Sequence, residues 1–252
     1  MSDILAPILD LPGVTEAADK ARDVLGQAHR HRANRREWAK AATEAAIRAA
    51  RASSALDGGK TELSASGQIE DPILAGAVRV AQALDGEGLA NLGRVWQRAP
   101  LQALAKLHVL AASDLAEDRE GLGRPRGGAG VGERLDMLAQ LVTGGTRAPA
   151  PVVAAVVHGE VLALRPFGTA DGIVARAASR LVAVTSGLDP HNLGVPEAAW
   201  LKRLSAYRSG AELFAQGTPE GVGNWVIFCC GALEAGGREA LAIADAVAAK
   251  PG

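Results

Sequence analysis

Aromatic side chains are scarce in this sequence of 252 residues, at 3% of the total, with a single tyrosine. Sandwiches and barrels draw on β-branched and aromatic strands, so a β architecture is disfavoured. Cysteine is nearly absent: Cys229 and Cys230 are the only two, and as chain neighbours they suit neither a fold-stapling disulfide nor a tetrahedral metal site. They read as small buried apolar residues in a reducing compartment. Excess charge of either sign is missing, the formal net charge being -1, which argues against a whole-chain partnership with nucleic acid or anionic lipid. Long apolar runs are missing as well. The longest uncharged stretch near the C-terminus, 221–233, falls short of the roughly 20 residues that span a bilayer. The opening MSDILAPILDLPG carries Asp3 and Asp10 and no basic region, unlike a secretory signal. A soluble, cytoplasmic protein without a membrane partner is expected.

What the sequence has is alanine, within a hydrophobic content of 48%. Alanine favours helices that approach closely through small side chains. Residues 15–30 place Ala17, Ala18, Ala21, Val24, Leu25 and Ala28 on one helical face, with Thr15 as a cap and Asp19 and Asp23 in the early part. The link 29–36, HRHRANRR, is the densest positive run, and without an interleaved aromatic it reads as a solvated helix junction rather than a nucleic-acid patch. A second helix, 37–56, ends at Asp57-Gly58-Gly59. Ser53 and Asp57, four apart, share a face of its last turn. A carboxylate at the negative end of a helix calls for solvent or a specific cation in compensation.

A polar loop, 60–68, precedes Asp71-Pro72, a cap and first-turn proline opening a helix to about residue 84. Helices at 87–97 and 100–113 follow. The second contains His108, which has no partner at metal or triad spacing and reads as a core or junction histidine. Glycine-rich 117–132 reads as a flexible connector. Further helices are expected at 134–142, from Pro149 and Pro151 onward, at 197–216, and at 219–250 with an interruption at Gly236-Gly237. The sum is an all-α protein of about eight to ten helices.

One stretch, 152–181, organises the rest. An apolar helix runs into an Arg-Pro-Phe-Gly loop, and a second helix opens at Gly172 with Arg176 and Arg180 one turn apart. Backbone N–H groups at a helix start, with arginines on the first turns, suit a phosphate-sized anion.

The segment AAVVHGEVLALRPFGTADGIVAR resembles the core of Fic proteins, the Fido superfamily, whose motif is H-x-F-x-D/E-G-N-G-R-x-x-R. Laid on without gaps, Arg165 falls on the motif histidine, Pro166 and Phe167 match, Gly168 follows, Gly172 meets the second glycine and Arg176 the last arginine. His158 meets a histidine frequent in the lead-in helix. Residues 107–126 are similar to the Leu-His helix and the segment that leads to the target-binding flap. RASSALDGG, 51–59, resembles the inhibitory motif S/T-x-x-x-E-G/N, with Ser53, Asp57 and Gly58 on its key positions. The resemblance implies a Fic-like helical core over 61–252, with a short β-hairpin flap near the glycine-rich loop. Before it stands a helical hairpin over 1–60 ending in the inhibitory segment. It also implies direct or one-water contact between Asp57 and Arg176.

The departures fall on the chemistry. Fic enzymes transfer AMP from ATP to a protein hydroxyl with the motif histidine as general base, and Arg165 cannot give up a proton near neutral pH. Thr169 stands where the family's acidic residue holds Mg²⁺, so Mg²⁺ is not expected. Asp171 replaces the asparagine, and Ile173 replaces the first arginine. The reading is a degenerate relative whose cleft, built on Arg165, Phe167, Gly168, Gly172 and Arg176, takes ATP, another anion or a protein partner, with no nucleic acid expected. The alternative is an active transferase of AMP or another phosphate-containing group, with His158 or Asp171 as base.

Overall fold

The computed structural model describes residues 3–63, 68–116 and 119–249. The expected loops at 60–68 and 117–132 fall partly outside them. Twelve α-helices occur among the described residues: α1 (Ala6–Leu9), α2 (Val14–Arg30), α3 (Asn34–Leu56), α4 (Pro72–Ala83), α5 (Gly86–Arg98), α6 (Pro100–Ala112), α7 (Val131–Gln140), α8 (Ala150–Leu164), α9 (Asp171–Thr185), α10 (Pro196–Lys202), α11 (Leu204–Ala215) and α12 (Pro219–Ala249). A 3-10 turn, Arg119–Gly121, precedes α7, and a π turn, Leu141–Gly145, follows it.

The centre is α8. Its sequence, APVVAAVVHGEVLAL, is apolar around its whole circumference, which requires cover on every side. That cover comes from α9, α11, α12 and α2, and the Trp225 indole N–H of α12 donates to the Ala155 carbonyl at 2.9 Å. On the far side of α9 lie α3, α4, α5 and α6. One apolar core runs through the molecule from Val14 and Leu25 to Val226 and Leu233. Where α3 meets α12, a second core is made chiefly of alanines: Ala41, Ala42, Ala45, Ala49 and Ala240.

Local chemistry accounts for several helix starts. Asp71 caps α4 as expected, its carboxylate accepting the Leu74 N–H at 2.8 Å, with Pro72 in the first turn. Thr15 does not cap α2; the capping position is Gly13, and the Thr15 hydroxyl reaches back to the Leu9 carbonyl. α3 starts three residues earlier than expected and kinks at Glu37 (φ -131°, ψ 34°).

Three expectations are corrected. No strand is present among the described residues, so the glycine-rich segment forms no β-hairpin flap. Its glycines and proline supply no alternating apolar residues for a ladder. Residues expected as one helix over 197–216 divide at Arg203 (φ -124°, ψ 42°) into α10 and α11. Conversely, α12 runs unbroken through Gly236-Gly237. There the glycines serve close approach: a Cβ on Gly236 would stand 2.6 Å from the Pro196 nitrogen, and one on Gly237 3.2 Å from the Leu25 nitrogen. Because of the division at Arg203 and the short α1, the helix count exceeds the expected eight to ten.

Candidate functional site

α8 ends at Leu164 and α9 begins at Asp171, so residues 165–170 must reverse the chain in six residues. Arg165 and Ala170, at the two ends, take left-handed backbone with φ 45° and 52°. Neither is glycine, so each conformation costs about 1 kcal/mol or more and has to be held from outside. Three residues hold it. The Asp171 carboxylate accepts the backbone N–H of Phe167 at 2.9 Å and of Gly168 at 2.8 Å. Arg126 donates its backbone N–H to the Pro166 carbonyl at 2.7 Å and its Nε–H to the Arg165 carbonyl at 3.0 Å. The His108 ring stacks on Phe167 with centroids 4.2 Å apart.

His108 is thus a junction residue, and the junction is the site loop. Its Nδ1 accepts the Gly123 N–H at 2.9 Å, which leaves the proton on Nε2, 3.1 Å from the Thr169 hydroxyl oxygen. Burial holds the imidazole below its ordinary pKa, against the pull of Thr169.

Arg176, on the second turn of α9, is buried. Its Nη2 lies 3.0 Å from the Asp57 carboxylate and donates to the Ser53 carbonyl at 2.9 Å. Nε donates to the Ser53 hydroxyl at 2.8 Å, and Nη1 to the Tyr207 hydroxyl at 3.3 Å. Asp57 therefore has its compensating cation at the end of α3. Burial alone would favour loss of the guanidinium proton; Asp57 and Tyr207 outweigh it and hold the group firmly charged. Asp57 also lies against the start of α9, where a Cβ on Gly172 would stand 2.4 Å from its Oδ1. Gly58, just beyond, has φ 87°, a turn that glycine makes freely.

The sequence-derived residues separate into two groups. Asp57, Arg165, Gly168, Asp171 and Gly172 line one open cleft of about 720 Å³, together with Thr169, Tyr207 and Arg208. Phe167, Arg176, Ser53, Gly58 and His158 lie outside that lining: Ser53 and Arg176 border a separate small cavity, and His158 is fully buried on α8, beside Trp200 and Trp225 at ring-centroid distances of 4.6 and 5.2 Å. Its Nε2 pairs with the Tyr207 hydroxyl at 2.8 Å. Burial first, and the Arg176 charge second, keep it neutral well below its ordinary pKa. Asp171 moves the other way: burial raises its pKa, against the two loop N–H groups and the nearby Arg126 and Arg165.

Tyr207 was invisible to motif reasoning, although it joins Arg176 to His158. Its one sequence signal is rarity, as the only tyrosine of the chain. Arg126, in the segment that reads as a connector, fastens the loop. Arg180, one turn along α9 from Arg176, points away from the cleft and forks onto Glu197 at 2.7 and 2.5 Å, with Asn192 at 2.6 Å.

Among solved structures, this architecture is similar to the crystal structure at 2.70 Å resolution of a Fic family protein from Desulfovibrio desulfuricans G20. The two superpose with a TM-score of 0.69 at 16% identity, over 92% of this chain and 75% of that one. The chain has the Fic fold. No family model and no curated protein matches the sequence. In this chain the cleft opens beside the α8–α9 loop. Among the described residues no group of three or more His, Cys, Asp or Glu side chains is arranged to hold a metal, and no helix is long and apolar enough to cross a membrane.

Proposed function

We propose that this protein is a catalytically impaired member of the Fic family that acts by binding a nucleotide or another anion, or a protein partner, at the α8–α9 cleft. The helical segment 1–60 controls access to that cleft, ahead of the core domain at 61–252. The observation that carries the proposal is that Arg176, buried behind the cleft, and the N–H groups of its loop are engaged by the chain's own carboxylates. Asp57 takes Arg176 and abuts the start of α9, and Asp171 takes the loop N–H groups of Phe167 and Gly168.

The chemistry of the donor set supports loss of transfer. Arg165 stands where a general base would be needed, and a guanidinium does not accept a proton near neutral pH. Thr169 offers one neutral oxygen, already facing the His108 Nε2, where a phosphate-bridging Mg²⁺ would need a carboxylate. The residues present do not fit that ion.

The test is incubation of wild type and Asp57→Gly with labelled ATP, Mg²⁺ and a cell lysate. Neither is expected to label a protein. Labelling by Asp57→Gly that disappears in Asp57→Gly/Asp171→Asn, which keeps an oxygen for the loop N–H groups, would favour the alternative, an active transferase with Asp171 as base. Its raised pKa is the observation in favour of that alternative. A thermal-shift titration with ATP and with ADP checks binding separately. Asp57→Gly should gain a dose-dependent rise in midpoint, because a ligand that binds only the native state stabilises it. A flat response in that variant removes the nucleotide role.

A further inference from the structure

The positive run at 29–36 is not absorbed by the cleft. Its charges have different fates. His29 pairs with Asp189 at 2.8 Å, and His31 with Asp245 at 3.2 Å. Arg30 faces a separate surface depression beside Arg22 and Asp23. Arg32, Arg35 and Arg36 remain, all exposed, and their side chains have no hydrogen-bond or ion-pair partner among the described residues. They line one open cavity of about 730 Å³, whose opposite wall is Val247 and Ala248 in the last turn of α12. The one carboxylate in that lining, Glu37, is paired with Lys40 at 3.0 Å.

Three like charges in one cavity repel one another, in a chain whose formal net charge is only -1. A dense anion relieves that repulsion. Guanidinium forks fit phosphate oxygens in pairs, and the three stand within five residues of chain, Arg32 in the turn before α3 and Arg35 and Arg36 in its first turn. We propose that this cavity is a second binding site, for a compact polyphosphate whose phosphates are linked directly to one another. A phosphoanhydride chain concentrates its charge on the scale of one helical turn, whereas nucleic acid spreads it along a strand and calls for stacking partners. The cavity has no aromatic lining, and the nearby Trp38 is stacked on His191 with centroids 4.2 Å apart. The site is at the opposite end of α3 from Asp57, roughly 30 Å away by helical rise.

Isothermal titration with inorganic tripolyphosphate at low salt tests the site in the intact chain. Wild type and Arg165→Ala are expected to bind one equivalent alike, with affinity falling as salt rises. The triple variant Arg32→Ala/Arg35→Ala/Arg36→Ala should bind about tenfold more weakly or worse, and the corresponding triple lysine variant should fall between them because it keeps charge and loses the fork. Equal affinity in the triple alanine variant, loss in Arg165→Ala alone, or no heat in wild type would each overturn the assignment. Tighter binding of a mixed-sequence oligonucleotide or an oligoglutamate peptide than of tripolyphosphate would overturn it in favour of that partner.

Discussion

The guanidinium of Arg176 and the carboxylate of Asp57 meet at 3.0 Å, the first on α9 and the second just beyond the end of α3. The arginine is buried, and the aspartate side chain keeps 24% of its surface exposed. Their losses should therefore be unequal. Asp57→Ala leaves Arg176 with Ser53 and Tyr207 and is expected to cost about 1–3 kcal/mol. Arg176→Ala opens a cavity and orphans several acceptors, for about 3–5 kcal/mol. In urea denaturation the double variant should show a coupling of about 1–3 kcal/mol; additivity within error would mean that the contact contributes nothing.

Gly172 is the point at which α9 lets Asp57 come close. Gly172→Ala sets a Cβ against Oδ1 and is expected to destabilise wild type by about 1–3 kcal/mol. In the Asp57→Ala background the obstacle is gone, and the same substitution should cost less than about 0.5 kcal/mol or stabilise, since alanine favours a helix. Equal effects in both backgrounds would separate Gly172 from Asp57.

Acid sensitivity follows from His158. Burial holds its folded-state pKa well below the ordinary 6.5, so the unfolded chain takes up the proton first as pH falls. Stability should thus be complete above about pH 6.5 and decline below it. His108 and His191, also shifted down by burial, act in the same direction. Replacing His158 with glutamine should flatten the decline of the melting midpoint between pH 7 and 5 (about the span of histidine titration) without abolishing it. An unchanged slope would show that His158 is not held neutral.

On α12, Gly236 and Gly231 make opposite predictions. Gly236→Ala meets the Pro196 nitrogen at 2.6 Å and should destabilise by about 1–3 kcal/mol. Gly231 has open space around its Cβ position, so Gly231→Ala should stabilise by about 0.5–1 kcal/mol. Thermal melts of the two variants moving the same way would contradict the packing described for this helix.

Periodicity and caps made most helices legible, because alanine faces, Asp71-Pro72 and the prolines before α8 act within one or two turns of chain. Gly236-Gly237 misled for a reason that no local pattern holds: what presses on them comes from α2 and the start of α10. At the site, Asp57 and Arg176 could be matched because each stands in a motif-like string. Tyr207, His108 and Arg126 could not, since their roles arise only when α6, α11 and the 119–130 segment fold onto the loop. His158 shows the converse: a plausible base by sequence sits behind Tyr207 among indoles.

Tyr207 is the only tyrosine in the chain, and its hydroxyl touches both Arg176 and His158. Carbon-13 placed at the phenolic position of tyrosine would therefore give a one-line spectrum. The frequency of that line would follow the company of the Arg176 guanidinium, so the loss of Asp57 is read at Tyr207 with no label on either partner of the pair.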